Sequence, residues 1–202
     1  MTKNEKSSAI DIGYILRIAL PLFIITASCA LLLAVVNGLT AQRIADNAAR
    51  AKSEAIAAIF TGCDEETPTL DAAFESPVNA VYEVYSGGAL EGWCVSVSPK
   101  GFGGGIDMMV GISLSHEVVG VKIVDHSETP GLGARTDDAE YLAQYAGLTG
   151  KPTLGGEVDA IAGATISSRA VLAGVNAALA LDFASGNGAE SIPSDITGGD
   201  GQ

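Results

Sequence analysis

Between Arg17 and Arg43 the chain carries no charged residue, and Ile18 to Val36, IALPLFIITASCALLLAVV, is almost wholly apolar. About 20 such residues, each rising about 1.5 Å, cross a hydrocarbon layer roughly 30 Å thick. The pattern therefore predicts a transmembrane helix over 18–37, preceded by a short segment 1–17. Pro21 is expected in the first turn or so, where a missing amide costs little. The apolar run exceeds the roughly 7–15 residues of a cleavable signal peptide. The ALLLAVV that follows Cys29 is also not the polar start of a lipoprotein, so the anchor is expected to stay attached. Downstream, Ile44, Ala48, Ile56, Ile59 and Phe60 recur near helical spacing in an alanine-rich stretch without proline. They predict a stalk helix over 38–62 that continues the anchor and ends at Gly62, with Pro68 beyond it.

The period then changes from helical to two. VNAVYEVYS (78–86) and LEGWCVSVS (90–98) alternate as strands around Gly87-Gly88, the signature of a β-hairpin. IDMMVGISL (106–114) and EVVGVKIVD (117–125) form a second pair around Ser115-His116, and TGCDEETPT (61–69) reads as a break between helix and hairpin. After the Gly/Pro loop SETPGLGAR comes a short acidic helix, DDAEYLAQYAG (137–147), and a final helix from Ser167 to Phe183 with Val171, Leu172, Val175 and Leu179 on one face. Hairpins followed by helices give an α+β domain with an antiparallel sheet over 63–184. The polar, glycine-rich 185–202 is too poor in apolar surface to fold and reads as a disordered tail.

Charge narrows the partners. The 202 residues carry 24 acids against 11 bases, a net charge of −13, without the clustered Lys and Arg that a nucleic acid requires. Lys3, Lys6 and Arg17 before the span nearly balance Arg43, Arg50 and Lys52 after it. A short basic N-terminus is the easier end to retain, so the N-terminus is expected in the cytoplasm and the domain outside. Cys29, Cys63 and Cys94 lack the paired spacing of a zinc or iron–sulfur site, and His116 and His126 have no matching ligands, so no metal is expected. Cys63 and Cys94 could pair as a disulfide if the domain faces an oxidising compartment, and two thiols would look the same in the sequence. Trp93, Tyr82 and Tyr85 are expected in the core, and Asp107 supports either the strand entry or a ligand.

Candidate chemistry concentrates in DAIAGATISSRAV, Asp159 to Val171. Small side chains at Ala160, Ala162, Gly163 and Ala164 let a bulky group approach the backbone, just where a helix start turns unpaired amides and the positive end of its dipole outward. A phosphate suits that position, beside the Thr165 hydroxyl. The same residues also read as an ordinary loop in which Thr165 or Ser167 caps the helix. Likewise Glu128-Thr129-Pro130-Gly131 reads as a plain type II turn or as a ligand contact.

DAIAGAT resembles the flavinylation motif D-x-x-[ST]-G-A-[TS] of the FMN-binding domains in Rnf complexes and in sodium-pumping NADH:quinone oxidoreductases, with Ala162 where Ser or Thr is usual. GFGGGIDMMVGIS (101–113) and HSETPGLGAR (126–135) are similar, in the same order, to the glycine-rich strand entry and the Glu-Thr-Pro-Gly-Leu-Gly loop of the Rnf G-subunit family. The resemblance implies an extracytoplasmic FMN-binding domain at 63–184, and FMN joined to Thr165 through a phosphoester by a flavin transferase that takes it from FAD. It further implies that Gly163, Ala164, Ser167 and Asp159 frame the phosphate end or its recognition. Leu132 and Gly131 would lie against the ring, with Glu128 and Thr129 as polar contacts. The implied function is electron transfer within a single-pass membrane complex that couples ferredoxin and NAD to ion translocation, with other Rnf subunits, including a second flavin-carrying membrane subunit, as partners. No catalytic side chain is implied. The alternatives are a C-subunit-like protein of the sodium pump, another extracytoplasmic flavin carrier, or a membrane-anchored assembly module without flavin.

Overall fold

The computed structural model describes residues 12–63, 65–69 and 74–183. The proposed tail 185–202 and most of the segment 1–17 lie outside them. Met1–Ala49 and Arg50–Gln202 form two separate compact units.

Anchor and stalk form one uninterrupted helix, α1 (Ile12–Ile59), whose most apolar window has a mean hydropathy of 2.6. One such helix fits a single-pass membrane protein. Hydroxyls within it bond inward, Thr26 to the Leu22 carbonyl at 3.0 Å and Ser28 to that of Ile24 at 2.7 Å, as an apolar surrounding demands. Because α1 begins at Ile12, Pro21 is interior and not in the first turn as expected, and it leaves the Arg17 carbonyl without its usual amide.

The second unit is an antiparallel meander, β1 (Glu65–Thr69), β2 (Val78–Ser86), β3 (Ala89–Val97), β4 (Ile106–Ser113) and β5 (Val118–His126), in that spatial order. Four of these strands were legible from their alternation. The expected break at 61–69 contains the fifth, because Glu65 to Thr69 add to the edge of β2, where a proline is tolerated. Gly87 and Gly88 at φ 57° and 80° make the tight β2–β3 turn.

α3 (Thr165–Leu179) covers one face, placing Val171 and Val175 on Val97, Met108 and Val110; a Cβ at Gly174 would press within 2.6 Å of the Met108 methyl. The end of α1 covers the other face, where Ile56 and Phe60 pack with Val84, Cys94 and Met109, and Cys63 packs against the same cluster. Burying Ile56 and Phe60 contributes about 1.5–3 kcal/mol each.

Two expected helices differ. The 137–147 helix is short and broken: a 3₁₀ turn (Gly133–Asp137), α2 (Ala139–Leu142) and a second 3₁₀ turn (Ala143–Tyr145) follow one another, because Asp138 at ψ 131° and Ala146 at ψ 133° are extended. α3 starts at Thr165 and stops at Leu179, where Nε2 of His116 hydrogen-bonds the last carbonyl at 2.8 Å. The chain then leaves the helix axis so that Phe183 stacks on Trp93, ring centroids 4.6 Å apart. His116 thus fastens the helix end, and His126 accepts the Glu128 N–H.

Candidate cofactor site

Three loops at one end of the sheet enclose a cavity of about 370 Å³. The β3–β4 connection contributes Phe102, the 127–135 loop contributes Thr129 and Leu132, and the start of α3 contributes Thr165 and Ile166. Phe102, Leu132 and Ile166 are among the exposed large hydrophobics of the chain, at 70%, 47% and 53%. They give the cavity an apolar rim that water disfavours.

Glu128 holds the three loops together. Its side chain is 5% exposed, accepts the Gly103 N–H at 2.9 Å through Oε1 and accepts the Ser167 hydroxyl at 2.5 Å through Oε2. The surrounding glycines follow from this nesting. A Cβ at Gly101 would strike Oε1, one at Gly133 would strike Oε2, and one at Gly103 would strike the Ser127 carbonyl. Glu128 is therefore a clamp in the cavity wall, its two oxygens committed to protein donors. Thr129 to Leu132 do form the tight turn, with Gly131 at φ 77° and the Leu132 N–H bonded to the Thr129 carbonyl at 3.2 Å, and the same turn presents Leu132 to the cavity.

α3 begins without a side-chain cap. Its N-cap is Ala164, neither Thr165 nor Ser167, and the first turn contains no acid. Cap oxygens normally satisfy the first amides, so these remain available to an external anion beside the exposed Thr165. Ser168 stabilises the preceding loop: its hydroxyl accepts the Ile161 N–H at 3.1 Å and donates to the Ala164 carbonyl at 3.0 Å. Behind it Tyr141 and Tyr145 share a 2.9 Å hydroxyl contact, and burial together with Tyr141 holds the Tyr145 phenol far above its ordinary pKa.

Glu128, Thr129, Leu132, Gly163, Ala164, Thr165 and Ser167 all line the cavity. Gly131 shapes the turn without lining it. Asp159 lies elsewhere, exposed in a polar cleft with Arg135 and Gln144, and its N–H is bonded to Gln144 Oε1 at 2.9 Å. Asp107 is exposed on β4 opposite Asp125. Sequence reading missed Phe102 and Ile166 as rim residues and Ser168 and Gln144 as loop supports. An apolar Phe102 among glycines was the available signal for the first, and nothing local signalled Gln144. Among the described residues no three His, Cys, Asp or Glu side chains gather as a metal site.

The arrangement suits a planar, largely apolar group with an anionic end. Its walls are aliphatic and aromatic, its open helix start lies at one side, and a hydroxyl stands between them.

Residues 101–180 match the model of the FMN-binding domain, and residues 13–59 match that of the RnfG N-terminal region. The G subunit of the ion-translocating oxidoreductase complex of Methanosarcina acetivorans is 32% identical over 84% of this chain and 95% of its own length. The G subunit of the Na(+)-translocating ferredoxin:NAD(+) oxidoreductase complex of Acetobacterium woodii is 32% identical over 86% and 94%. The crystal structure of Shewanella oneidensis NqrC overlaps 48% of this chain and 53% of that one, at 26% identity and a TM-score of 0.41. With both family models matched in order and two relatives aligned along nearly their whole length, the chain belongs to the G-subunit family of Rnf ion-translocating oxidoreductases.

Proposed function

We propose that this chain is an electron-transfer subunit of a membrane complex coupling ferredoxin and NAD to ion translocation, and that it carries FMN joined by a phosphoester to Thr165. The observation that carries the reading is the coincidence of an exposed Thr165 hydroxyl, an uncapped helix start and an apolar-rimmed cavity within the segment matching the FMN-binding domain. The first amides of α3 and its dipole would neutralise the phosphate. Leu132, Ile166 and Phe102 would bear on the ring, and Gly163 and Ala164 leave room beside it. Glu128 and Ser167 brace the wall they line, Thr129 and Gly131 form the turn, and Asp159 serves recognition by the transferase. FMN supplies the redox chemistry when bound; the protein holds, orients and tunes it.

Residues 1–17 would lie in the cytoplasm, 18–37 in the membrane and 38–62 in the stalk, with the domain 63–184 outside the cell, where a tether prevents cofactor loss. Its partners would be the other Rnf subunits, including the second flavin-carrying membrane subunit, the flavin transferase that matures it, and lipid around α1.

The test is the intact mass and in-gel flavin fluorescence of the full chain produced with a flavin transferase, native against Thr165→Val. A gain of one FMN less one water in the native chain, absent from the variant, is expected. An unmodified native chain beside a labelled control substrate would overturn the covalent reading.

A further inference from the structure

We infer that Ser168 and Gln144 are positioning residues for the modification of Thr165, setting the Asp159–Ala164 loop in its working shape before any flavin arrives. The inference rests on the covalent reading above. The loop has an intrinsic reason to wander: Ala160, Ala162 and Gly163 are small and exposed, Gly163 sits at φ 82°, and the Asp159 carboxylate makes no hydrogen bond or ion pair among the described residues. Two side chains oppose that freedom. Gln144 accepts the N–H of Asp159 at the loop's start at 2.9 Å, and its amide nitrogen is bonded to the Tyr141 carbonyl at 3.3 Å. Ser168, fully buried, bridges the Ile161 N–H and the Ala164 carbonyl, so one hydroxyl closes the turn that delivers the chain into α3. The Ala164 carbonyl also accepts the Ser168 N–H at 2.9 Å, and the Ala164 N–H bonds the Ile161 carbonyl at 2.9 Å. Thr165 is the next residue after this braced turn.

The step this serves is a displacement without redox change. The Thr165 oxygen attacks the FMN phosphorus of FAD, an oxygen–phosphorus bond forms, the pyrophosphate bond breaks, AMP departs, and the hydroxyl proton passes to the transferase or to water. Such a step needs the nucleophile held in line with the leaving group, and a displacement of about 1 Å can cost on the order of 100-fold in rate. A hydroxyl on a loose loop would meet that requirement rarely. Held by Ser168 and Gln144, it presents one geometry, and the ordering is complete before the enzyme binds.

The test uses the full-length chain in detergent with FAD and a purified flavin transferase, following covalent flavin fluorescence at several chain concentrations for native, Ser168→Ala, Gln144→Met and Gln144→Glu. Ser168→Ala is expected to lower kcat of labelling about 10- to 100-fold with KM little changed. Gln144→Met should lower it less, and Gln144→Glu, which keeps the acceptor for the Asp159 N–H but loses the donor to the Tyr141 carbonyl, should restore it in part. Independently of any flavin, amide exchange of the 159–164 peptide should accelerate in the unlabelled Ser168→Ala and Gln144→Met chains. Native kcat and native exchange in the folded variants would overturn the inference, as would a defect confined to KM, which would mean that the side chains are read and not used for positioning. If Ser168→Ala does not fold, the Gln144 pair decides alone. A native chain that takes no label sinks the covalent reading as well, a result distinct from native and variants labelling alike.

Discussion

Replacing Glu128 by alanine tests whether the cavity is built around a buried carboxylate. The change strips the Gly103 N–H and the Ser167 hydroxyl of their acceptor and leaves a void bounded by Gly101 and Gly133, which cannot fill it. Hydrogen bonds to a carboxylate contribute about 1.5–3 kcal/mol each, so the loss is about 3–6 kcal/mol. That is a large part of the roughly 5–15 kcal/mol that holds a domain folded. Glu128→Gln keeps one oxygen for Gly103 and turns an amide toward a hydroxyl that can reverse its role, so about 1–2 kcal/mol is expected. Ser167→Ala should cost about 1–3 kcal/mol, and adding it to Glu128→Gln should cost less than the two separately, because both act on one contact. Urea unfolding of the full chain in detergent, followed by the single tryptophan, Trp93, on its Phe183 stack, gives these differences. An alanine variant within about 0.5 kcal/mol of native would refute the reasoning, since that is the range of an ordinary surface change.

The second face of the sheet and the tyrosine pair give two more tests. Gly111→Ala would drive a Cβ into the Ile59 side chain and to 2.9 Å from Phe60 Cε2, lifting the end of α1; a loss of about 1–3 kcal/mol in the same unfolding assay is expected, and an unchanged midpoint would mean that the helix end is not seated there. The Tyr145 phenol is held neutral by burial first and by Tyr141 second, so its contribution is complete below the unfolded value near 10 and is lost as pH rises above it. Tyr145→Phe should flatten the alkaline fall in stability above about pH 10 while costing about 0.5–1.5 kcal/mol at neutral pH through the lost hydroxyl contact, and an alkaline limb as steep as native would show the fall to originate elsewhere.

What the sequence determined by itself was local. A charge-free apolar run of this length makes a helix long and apolar enough to cross a membrane, since only a helix satisfies every backbone group within its own segment. Period-two alternation around Gly87-Gly88 makes a hairpin, since side-chain alternation and turn geometry are properties of neighbours. That small residues lead into a hydroxyl at a helix start was likewise readable, because those residues are adjacent in the chain. The tertiary structure decided what depends on distant partners. Glu128 became a clamp because Gly103 and Ser167, 25 and 39 residues away, meet at its two oxygens, and Asp159 left the cavity because Gln144, 15 residues before it, accepts its N–H. Glu65 to Thr69, with two glutamates and a proline among the five residues, became β1 because β2 had an open edge to pair with. Hydrogen-bond satisfaction is a whole-molecule requirement, so a side chain's role is settled by which orphan donor folding brings beside it, and no spacing in the sequence encodes that.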